Sequence, residues 1–249
     1  DRRAITLTAS DQSKTYGDAL TLDDTLFSTA DKGDAQDSTL PNDEKVDTVT
    51  LVSENGLDAS TDADVKTYTN NISITPTATG AATLAGSNGF DQENYDISYA
   101  TGDLTIDRRA ITLTASGQSK IYGDALDLGS TKFTTLDKDG NATLPNDEKV
   151  DTVTLVSANG VDASTDADVK TYTGNISITP TATGAATLAG SNGFDQENYD
   201  ISYATGDLTI NRRAITLTAS GQSKIYGDAL ALDNTAFTIA DKGDAQDST

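Results

Sequence analysis

The dominant feature of this sequence is that it repeats itself. Residues 3–18 read RAITLTASDQSKTYGD, and the stretch recurs with two changes at 109–124 and again at 213–228. Residues 40–107 differ from residues 144–211 at only four of 68 positions. An active site needs one copy, whereas a spacer gains length from every added copy. The sequence therefore divides into a first β-rich repeat at 1–107, a second at 108–211 and part of a third at 212–249.

Within each repeat, apolar and polar residues alternate with the period of a strand. Ile5, Leu7 and Ala9 alternate with threonines, and the same pattern returns at 72–74, 95–99 and 104–106. Such strands have one buried and one solvated face, as in antiparallel sheets. Turn-forming residues separate them, including Asn55-Gly56 and the Gly-rich 86–89. The pattern predicts a mainly β fold.

Two architectures satisfy this pattern: an Ig-like sandwich, or a β-grasp-type sheet that carries at most one short helix per repeat. The one helical start signal is at Leu40–Lys45, where a proline and acidic residues suit a helix N-terminus. Between the last strand of one repeat and the first of the next lie only residues 107–110, without a Gly- or Ser-rich linker. We therefore expect elongated modules arranged end to end with limited freedom.

Composition narrows the classes of partner and of chemistry. Lys and Arg total 17 against 39 Asp and Glu, so the net charge of −22 disfavours nucleic acid and anionic membrane surfaces. The apolar runs are too short to insert in a membrane. Cys and His are absent, which excludes thiol nucleophiles and the usual zinc and haem ligands. With no nucleophile–base arrangement in the sequence, we predict that the chain is not an enzyme.

Calcium is the one cofactor that the sequence points to. The spacing D-x3-D-x-D places three carboxylates in one loop, and Ca²⁺ requires six to eight oxygen ligands. A second candidate loop contains Asp137, Asp139, Asn141 and Glu148, with a spacing that partly matches an EF-hand. The alternative for all these acids is a solvated surface that keeps identical repeats apart by repulsion. The predicted metal ligands are Asp58, Asp62, Asp64, Asp162, Asp166 and Asp168.

Two further motifs lie near the ends of each repeat. The Tyr-Gly-Asp sequence at residues 16–18 predicts a tight turn in which Gly17 has a positive φ and the tyrosine covers the edge of the core. A ligand groove is the alternative for the same residues. An Arg-Arg pair begins each repeat, as at Arg108-Arg109, and we expect these arginines to pair with carboxylates of the adjoining repeat. We expect those pairs to be exposed and therefore weak.

The opening ITLTAS-QSK-YGD and the closing NYDISYATGDLTI resemble the MBG/YDG-type repeats of bacterial surface proteins. Such repeats occur in filamentous-haemagglutinin-like and other very large adhesins. The resemblance covers both full repeats, with residues 16–18 and 94–106 as its most specific parts. It implies a secreted protein or one at the bacterial cell surface, and a β-rich module in the shaft of an adhesin or biofilm-matrix protein.

Several functions follow as expectations from the repeat and the resemblance together. The first is a structural stalk that projects a distal binding region, with host surface, glycan or matrix components bound by other regions of the full-length protein. Neighbouring repeats of the same chain would then be the direct partners of each module. The alternatives are repeats that themselves bind glycan or protein ligands, and repeats that assemble into an extracellular filament or surface layer.

Overall fold

The computed structural model describes residues 1–31, 40–75, 84–179 and 188–241 of the chain. These residues are mainly β, with 47% of the structure in strands and 8% in short helical turns. Residues 32–39, where the first two repeats differ in sequence and length, lie outside the described residues. The prediction of a mainly β protein is confirmed.

The described residues of each complete repeat form nine strands. In the first repeat they are β1 (Arg3–Ala9), β2 (Gln12–Thr15), β3 (Phe27–Asp31), β4 (Lys45–Thr48), β5 (Leu51–Ser53), β6 (Thr67–Ile74), β7 (Ala85–Ser87), β8 (Tyr95–Ala100) and β9 (Gly102–Asp107). In the second they are β10 (Arg109–Ala115), β11 (Gln118–Ile121), β12 (Phe133–Asp137), β13 (Lys149–Thr152), β14 (Leu155–Ser157), β15 (Thr171–Ile178), β16 (Ala189–Ser191), β17 (Tyr199–Ala204) and β18 (Gly206–Asn211). The third repeat contributes β19 (Ile215–Ala219) and β20 (Phe237–Asp241).

The helical content consists of 3₁₀ turns of three residues each. They span Pro41–Asp43, Glu54–Gly56, Gln92–Asn94, Pro145–Asp147, Ala158–Gly160 and Gln196–Asn198. The predicted helix start at Leu40–Lys45 is therefore one short turn, because Asn42 takes φ +59° and breaks the helical path. No described segment forms a helix of seven or more residues. Where the sequence predicted at most one short helix, the described residues of each complete repeat have three such turns.

The strands of the first repeat form two main sheets and one small pair. One sheet has the order β3-β1-β8, the other β2-β9-β6-β5, and β4 pairs with β7. The chain passes from the first sheet to the second between β1 and β2. Both of these opening strands pair in parallel with a closing strand, β1 with β8 and β2 with β9. The other pairings in this repeat that have a defined register are antiparallel.

The core of the first repeat lies between these two sheets. Ile5 and Leu7 of β1 are fully buried, and they pack in one cluster with Ile72, Ile74 and Leu104 of the second sheet. Their polar neighbours face outward because successive side chains of a strand point to opposite faces. The alternation along β1 thus predicts its buried face correctly. Along β8 the agreement is partial, because Tyr95 is 4% exposed whereas Tyr99, on the same face, is 37% exposed.

Two compact units emerge when residues are grouped by their contacts. The first contains residues 1–112, 135–150 and 190–202, and the second contains 113–134, 151–189 and 203–249. The first unit therefore adds parts of the second repeat to the whole of the first. In the second unit, β11-β18-β15-β14 form a sheet equivalent to β2-β9-β6-β5, and β19 pairs with β20 as an antiparallel hairpin. Residues 107 and 211 are boundaries of the sequence repeat, and their use as domain boundaries stays a prediction.

Candidate functional site

The candidate site begins at the Tyr-Gly-Asp turn of the first repeat. The turn follows β2, and the backbone N–H of Asp18 donates to the carbonyl of Thr15 at 3.0 Å. Gly17 has φ +87°, a conformation that L side chains rarely adopt. The predicted tight turn is confirmed. Its side chains, however, do more than cover the edge of their own repeat.

Tyr16 is inserted among residues of the second repeat, all within the first compact unit. Its hydroxyl donates to Oε1 of Glu148 at 2.5 Å, and the hydroxyl of Tyr199 donates to Oε2 of the same carboxylate at 2.7 Å. The two rings meet edge to face with centroids 5.5 Å apart. Tyr16 and Glu148 are only 3% and 4% exposed. One buried carboxylate therefore accepts charge-assisted hydrogen bonds from both repeats.

Arg109 holds the backbone and the aspartate of the same turn. Its Nη1 donates to the carbonyl of Tyr16 at 3.1 Å and to Oδ1 of Asp18 at 2.8 Å. Its Nη2 donates to Oδ2 of the buried Asp137 at 3.2 Å. The expected pairing of a junction arginine with the adjoining repeat is confirmed here. The expectation of an exposed pair holds for the Asp18 side chain, which is 46% exposed, but not for the Arg109 side chain, which is 9% exposed.

Apolar packing and amide hydrogen bonds complete the contact. Tyr16 belongs to a buried cluster with Ile106, Ile111, Leu144 and Tyr199. At the edge of this cluster, the Asn146 amide and the backbone and hydroxyl of Thr61 exchange two hydrogen bonds, and Asn198 accepts one from the Val65 N–H.

We call this contact between the first and second repeats the joint. It is defined by Tyr16, Gly17, Asp18, Arg109, Pro145, Glu148 and Tyr199. A single residue, Arg108, separates β9 from β10 at this point.

Burial and hydrogen bonding shift the pKa values of Tyr16, Tyr199 and Asp137. Burial and the Glu148 carboxylate raise the pKa of Tyr16 to about 12, and the same causes raise the pKa of Tyr199. Burial also opposes ionisation of Asp137, but hydrogen bonds from Asn141, Asp139 and Arg109 outweigh it and lower the pKa of Asp137 to about 2. These shifts favour neutral Tyr16 and Tyr199 and an ionised Asp137.

We expect the first unit to lose stability as the pH rises from 10 to about 12. Unfolded tyrosine ionises near pH 10, whereas Tyr16 in the joint ionises only near pH 12. Its stabilisation is thus fully present below pH 10 and is lost through that window. Thermal unfolding followed by circular dichroism across this range measures the loss.

Tyr16→Phe is the control variant. Its melting temperature should fall less steeply with pH, although it should still fall, since Tyr199 still titrates. An identical fall in both proteins would contradict the assignment to Tyr16.

The second compact unit repeats part of this arrangement between the second and third repeats. Arg213 Nη1 donates to Oδ1 of Asp124 at 2.6 Å, and its Nε donates to Asp241 at 2.5 Å. Arg213 is thus equivalent to Arg109. The Tyr122 side chain is 42% exposed, whereas Tyr16 is 3% exposed.

The predicted metal ligands of the first repeat lie in a loop that a lysine organises. The Nζ of Lys14 donates to the carbonyl oxygens of Leu57, Asp58 and Ser60, so that an ammonium fills a cage of backbone oxygens. The Asp62 carboxylate accepts from the Ser60 hydroxyl at 2.7 Å, and the carbonyl of Asp64 accepts from Tyr68.

The second repeat has the same cage around Lys120. Its Nζ donates to the carbonyls of Val161, Asp162 and Ser164, and Asp166 accepts from the Ser164 hydroxyl. Asp168 is exposed. Within the described ranges, no three acidic side chains are grouped so that they could hold a metal ion. Calcium binding by either set of aspartates stays a prediction.

The EF-hand-like loop belongs to the joint. Asp137 accepts hydrogen bonds from the backbone of Asp139 and Asn141, and Glu148 accepts from the two tyrosines. These carboxylate oxygens therefore already have donors from the chain itself. The residues whose spacing partly matched an EF-hand shape the loop in which Asp137 accepts a hydrogen bond from Arg109.

Sequence reasoning missed the two caged lysines and the roles of Glu148 and Tyr199 in the joint. Lys14 had a signal, because the period of β2 places it on the buried face between the exposed Ser13 and the half-buried Thr15. Glu148 was singled out only as an oxygen ligand of the EF-hand-like loop and Tyr199 only as part of the closing motif. Their contact with Tyr16 had no signal, since they lie 132 and 183 residues from it.

Two observations bear on the class of protein. In the described part of the chain, no helix has the length and apolar character needed to cross a membrane. Comparison of the chain with protein-family models, with curated proteins and with solved structures finds no match.

Proposed function

We propose that this chain is part of the stalk of a bacterial extracellular adhesin or biofilm-matrix protein. In this proposal, β-rich repeats joined end to end act as spacers that project a distal binding region toward host surface, glycan or matrix components. The observation that carries the proposal is the joint. A stalk needs its modules held in a fixed relation, and buried contacts across a one-residue connection restrict rotation between them.

The strand pairing within the first repeat also supports a stalk under tension. The opening strand β2 is hydrogen-bonded in parallel to the closing strand β9, from Gln12↔Leu104 to Thr15↔Asp107. Tension between the two ends of the repeat pulls these strands in opposite directions along their length. All the hydrogen bonds of the pair are then loaded in shear and must break together. Such a pair resists force better than a pair whose hydrogen bonds break one after another.

The resemblance to MBG/YDG-type repeats and the acidic charge support an extracellular location. A net charge of −22 keeps identical repeats soluble and opposes lateral sticking. The absence of cysteine in the sequence is compatible with export without disulfide formation.

Small-angle X-ray scattering of the dilute protein tests the proposal. We expect an elongated monomer with a well-defined maximum dimension, and a broader distribution of dimensions for Glu148→Ala, which weakens the joint. A compact particle, or identical curves for the two proteins, would contradict the stalk proposal.

A glycan array and a cell-binding assay with the same protein test the alternative function. Saturable binding there would replace the passive spacer with a ligand-binding repeat.

The calcium prediction has its own test. If Asp58, Asp62 and Asp64 or their counterparts bind Ca²⁺, millimolar Ca²⁺ should raise the melting temperature more than NaCl of equal ionic strength, because specific binding stabilises by mass action. Replacing Asp58, Asp62, Asp162 and Asp166 by asparagine should remove the difference. Equal shifts with the two salts would show screening alone.

A further inference from the structure

The ammonium group of Lys14 lies in the first repeat as a bound cation would. Its Nζ donates to the carbonyl oxygens of Leu57, Asp58 and Ser60, which we call the cage. Lys14 is only 8% exposed. Carbonyl dipoles whose oxygens converge on one point repel each other unless a positive charge lies between them. The loop at 57–60 therefore needs a cation to keep this shape, and Lys14 supplies it.

The second repeat contains an independent copy of the cage. The Nζ of Lys120 donates to the carbonyls of residues 161, 162 and 164, and Lys120 is 6% exposed. Leu57 of the first repeat is replaced here by Val161, one of the few differences between the two repeats. The acceptors are unchanged because the backbone provides them. The cage is therefore a property of the repeat and not of one side chain.

The cage has the chemistry that recognises a primary ammonium ion. An R–NH₃⁺ group has three N–H donors, so each proton can meet one of the three oxygens. Calcium requires six to eight oxygen ligands, more than these carbonyls supply. A guanidinium is planar, and its donors diverge as a fork instead of converging on three oxygens. Number and direction of donors thus select the ligand.

The surrounding charges also favour a cation in the cage. Burial lowers the pKa of Lys14, and the carboxylates of Asp58, Asp18 and Asp62 oppose this shift. Two of these aspartates belong to the loop that forms the cage. They provide negative charge near the ammonium, while the backbone oxygens provide the hydrogen bonds.

The loop shaped by the cage leads directly into the joint. Ser60 gives its carbonyl to Lys14, and its hydroxyl accepts a hydrogen bond from the Ala63 N–H at 3.1 Å. Ala63 and Val65 pack against the apolar cluster of the joint. Thr61 and Val65 form hydrogen bonds with side-chain amides of the second repeat. The position of the cage therefore sets the position of residues that the joint uses.

We propose that the cage is a binding site for a primary ammonium ion, that Lys14 is its built-in ligand, and that this contact positions the loop for the joint. Lys14 is thus a positioning residue that acts through Ser60. A free alkylammonium ion can take the place of the side chain when Lys14 is shortened. The effect on the joint rests on the proposed function, whereas binding of an ammonium ion in the cage does not.

Chemical rescue of Lys14→Ala tests the proposal. The variant lacks three methylene groups and the ammonium, which n-propylammonium replaces in size and charge. We expect Lys14→Ala to melt about 10 °C below the unaltered chain, because three buried carbonyl oxygens lose their donors. n-Propylammonium chloride should restore most of this loss. Tetramethylammonium chloride, which has the charge without N–H donors, and n-propanol, which lacks the charge, should not.

Two variants serve as controls for the rescue. Lys14→Met keeps an apolar stem in place of the lysine, so it should lose stability and should not respond to n-propylammonium. Lys45 is exposed, and Lys45→Ala should melt with the unaltered chain and ignore the amine. Should Lys14→Ala fail to fold by itself, n-propylammonium is expected to restore its circular dichroism spectrum, and failure to do so would contradict the proposal.

Hydrogen exchange followed by mass spectrometry reads out the loop itself. Peptides of residues 57–66 differ in mass from those of 161–170, because Leu57 is replaced by Val161. In Lys14→Ala, we expect faster exchange at 57–66, including the Val65 N–H that is bonded across the joint, and slower exchange again with n-propylammonium. Lys120→Ala should accelerate exchange at 161–170 and leave 57–66 unchanged.

Three results would overturn the inference. They are a Lys14→Ala variant as stable as the unaltered chain, a rescue that is equal for n-propylammonium and tetramethylammonium, and unchanged exchange at 57–66 in Lys14→Ala. The outcome is separable from the stalk proposal. A rescued cage in a protein whose scattering is that of a compact particle would leave the ammonium site in place and overturn the stalk alone.

Discussion

Glu148→Ala is expected to lower the free energy of unfolding of the first unit by about 3 kcal/mol, since it leaves two buried tyrosine hydroxyls without their charged acceptor. Tyr16 and Tyr199 both donate to this carboxylate, and both rings are buried. Water cannot readily replace the lost acceptor in this apolar cluster. Chemical denaturation followed by circular dichroism measures the loss.

The chain supplies a matched control for this prediction. Glu44 occupies the equivalent position in the first repeat, is only half-buried and accepts a hydrogen bond from Tyr95. Glu44→Ala should therefore cost about 1 kcal/mol, the usual net value of one hydrogen bond. Equal losses for the two variants would mean that the joint adds nothing to the stability of the unit.

Gly17→Ala is the second change with a large expected effect. A Cβ at Gly17 would lie 2.2 Å from Cγ of Pro145, and φ at this residue is +87°. Backbone strain and the steric clash each cost about 1–3 kcal/mol, so we expect a total loss of about 4 kcal/mol. The tyrosine would be displaced from the cluster together with the turn. Thermal unfolding should show a lower melting temperature, and scattering should show a looser joint.

Gly123→Ala separates the two causes. Gly123 has φ +96° in the equivalent turn of the second repeat, but its nearest neighbour is Nη1 of Arg213 at 3.3 Å, the end of a flexible side chain. This variant suffers the backbone strain without the clash against a proline ring. Its loss should be about 2 kcal/mol. If both glycine variants lost the same amount, packing of Pro145 on Gly17 would not be a source of stability.

Part of the fold was predictable because it depends on local pattern. The period of two along Ile5, Leu7 and Ala9 placed these residues in the core, and the conformational freedom of glycine placed a turn at Gly17. Val49 and Leu51 are both buried, although β4 ends at Thr48 and β5 begins only at Leu51.

The candidate site was only half predictable. The pairing of Arg109 with a carboxylate of the adjoining repeat followed from the charge pattern at the junction. The burial of the Arg109 side chain did not, because Arg109 contacts Tyr16 and Asp137, which lie far from each other in the sequence and meet only in the folded chain. The aspartates at 58, 62 and 64 suggested a cation site by their spacing. Backbone oxygens of the same loop hold the ammonium of Lys14, a contact that no spacing rule describes.

The sequence by itself determined the repeat, the mainly β class, the buried face of β1 and the position of the tight turns, because these depend on neighbouring residues. The tertiary structure alone decided that Tyr16 is buried, at 3% exposed. Tyr16 meets Glu148 and Tyr199 of the second repeat, and burial depends on the residues that surround a side chain in space.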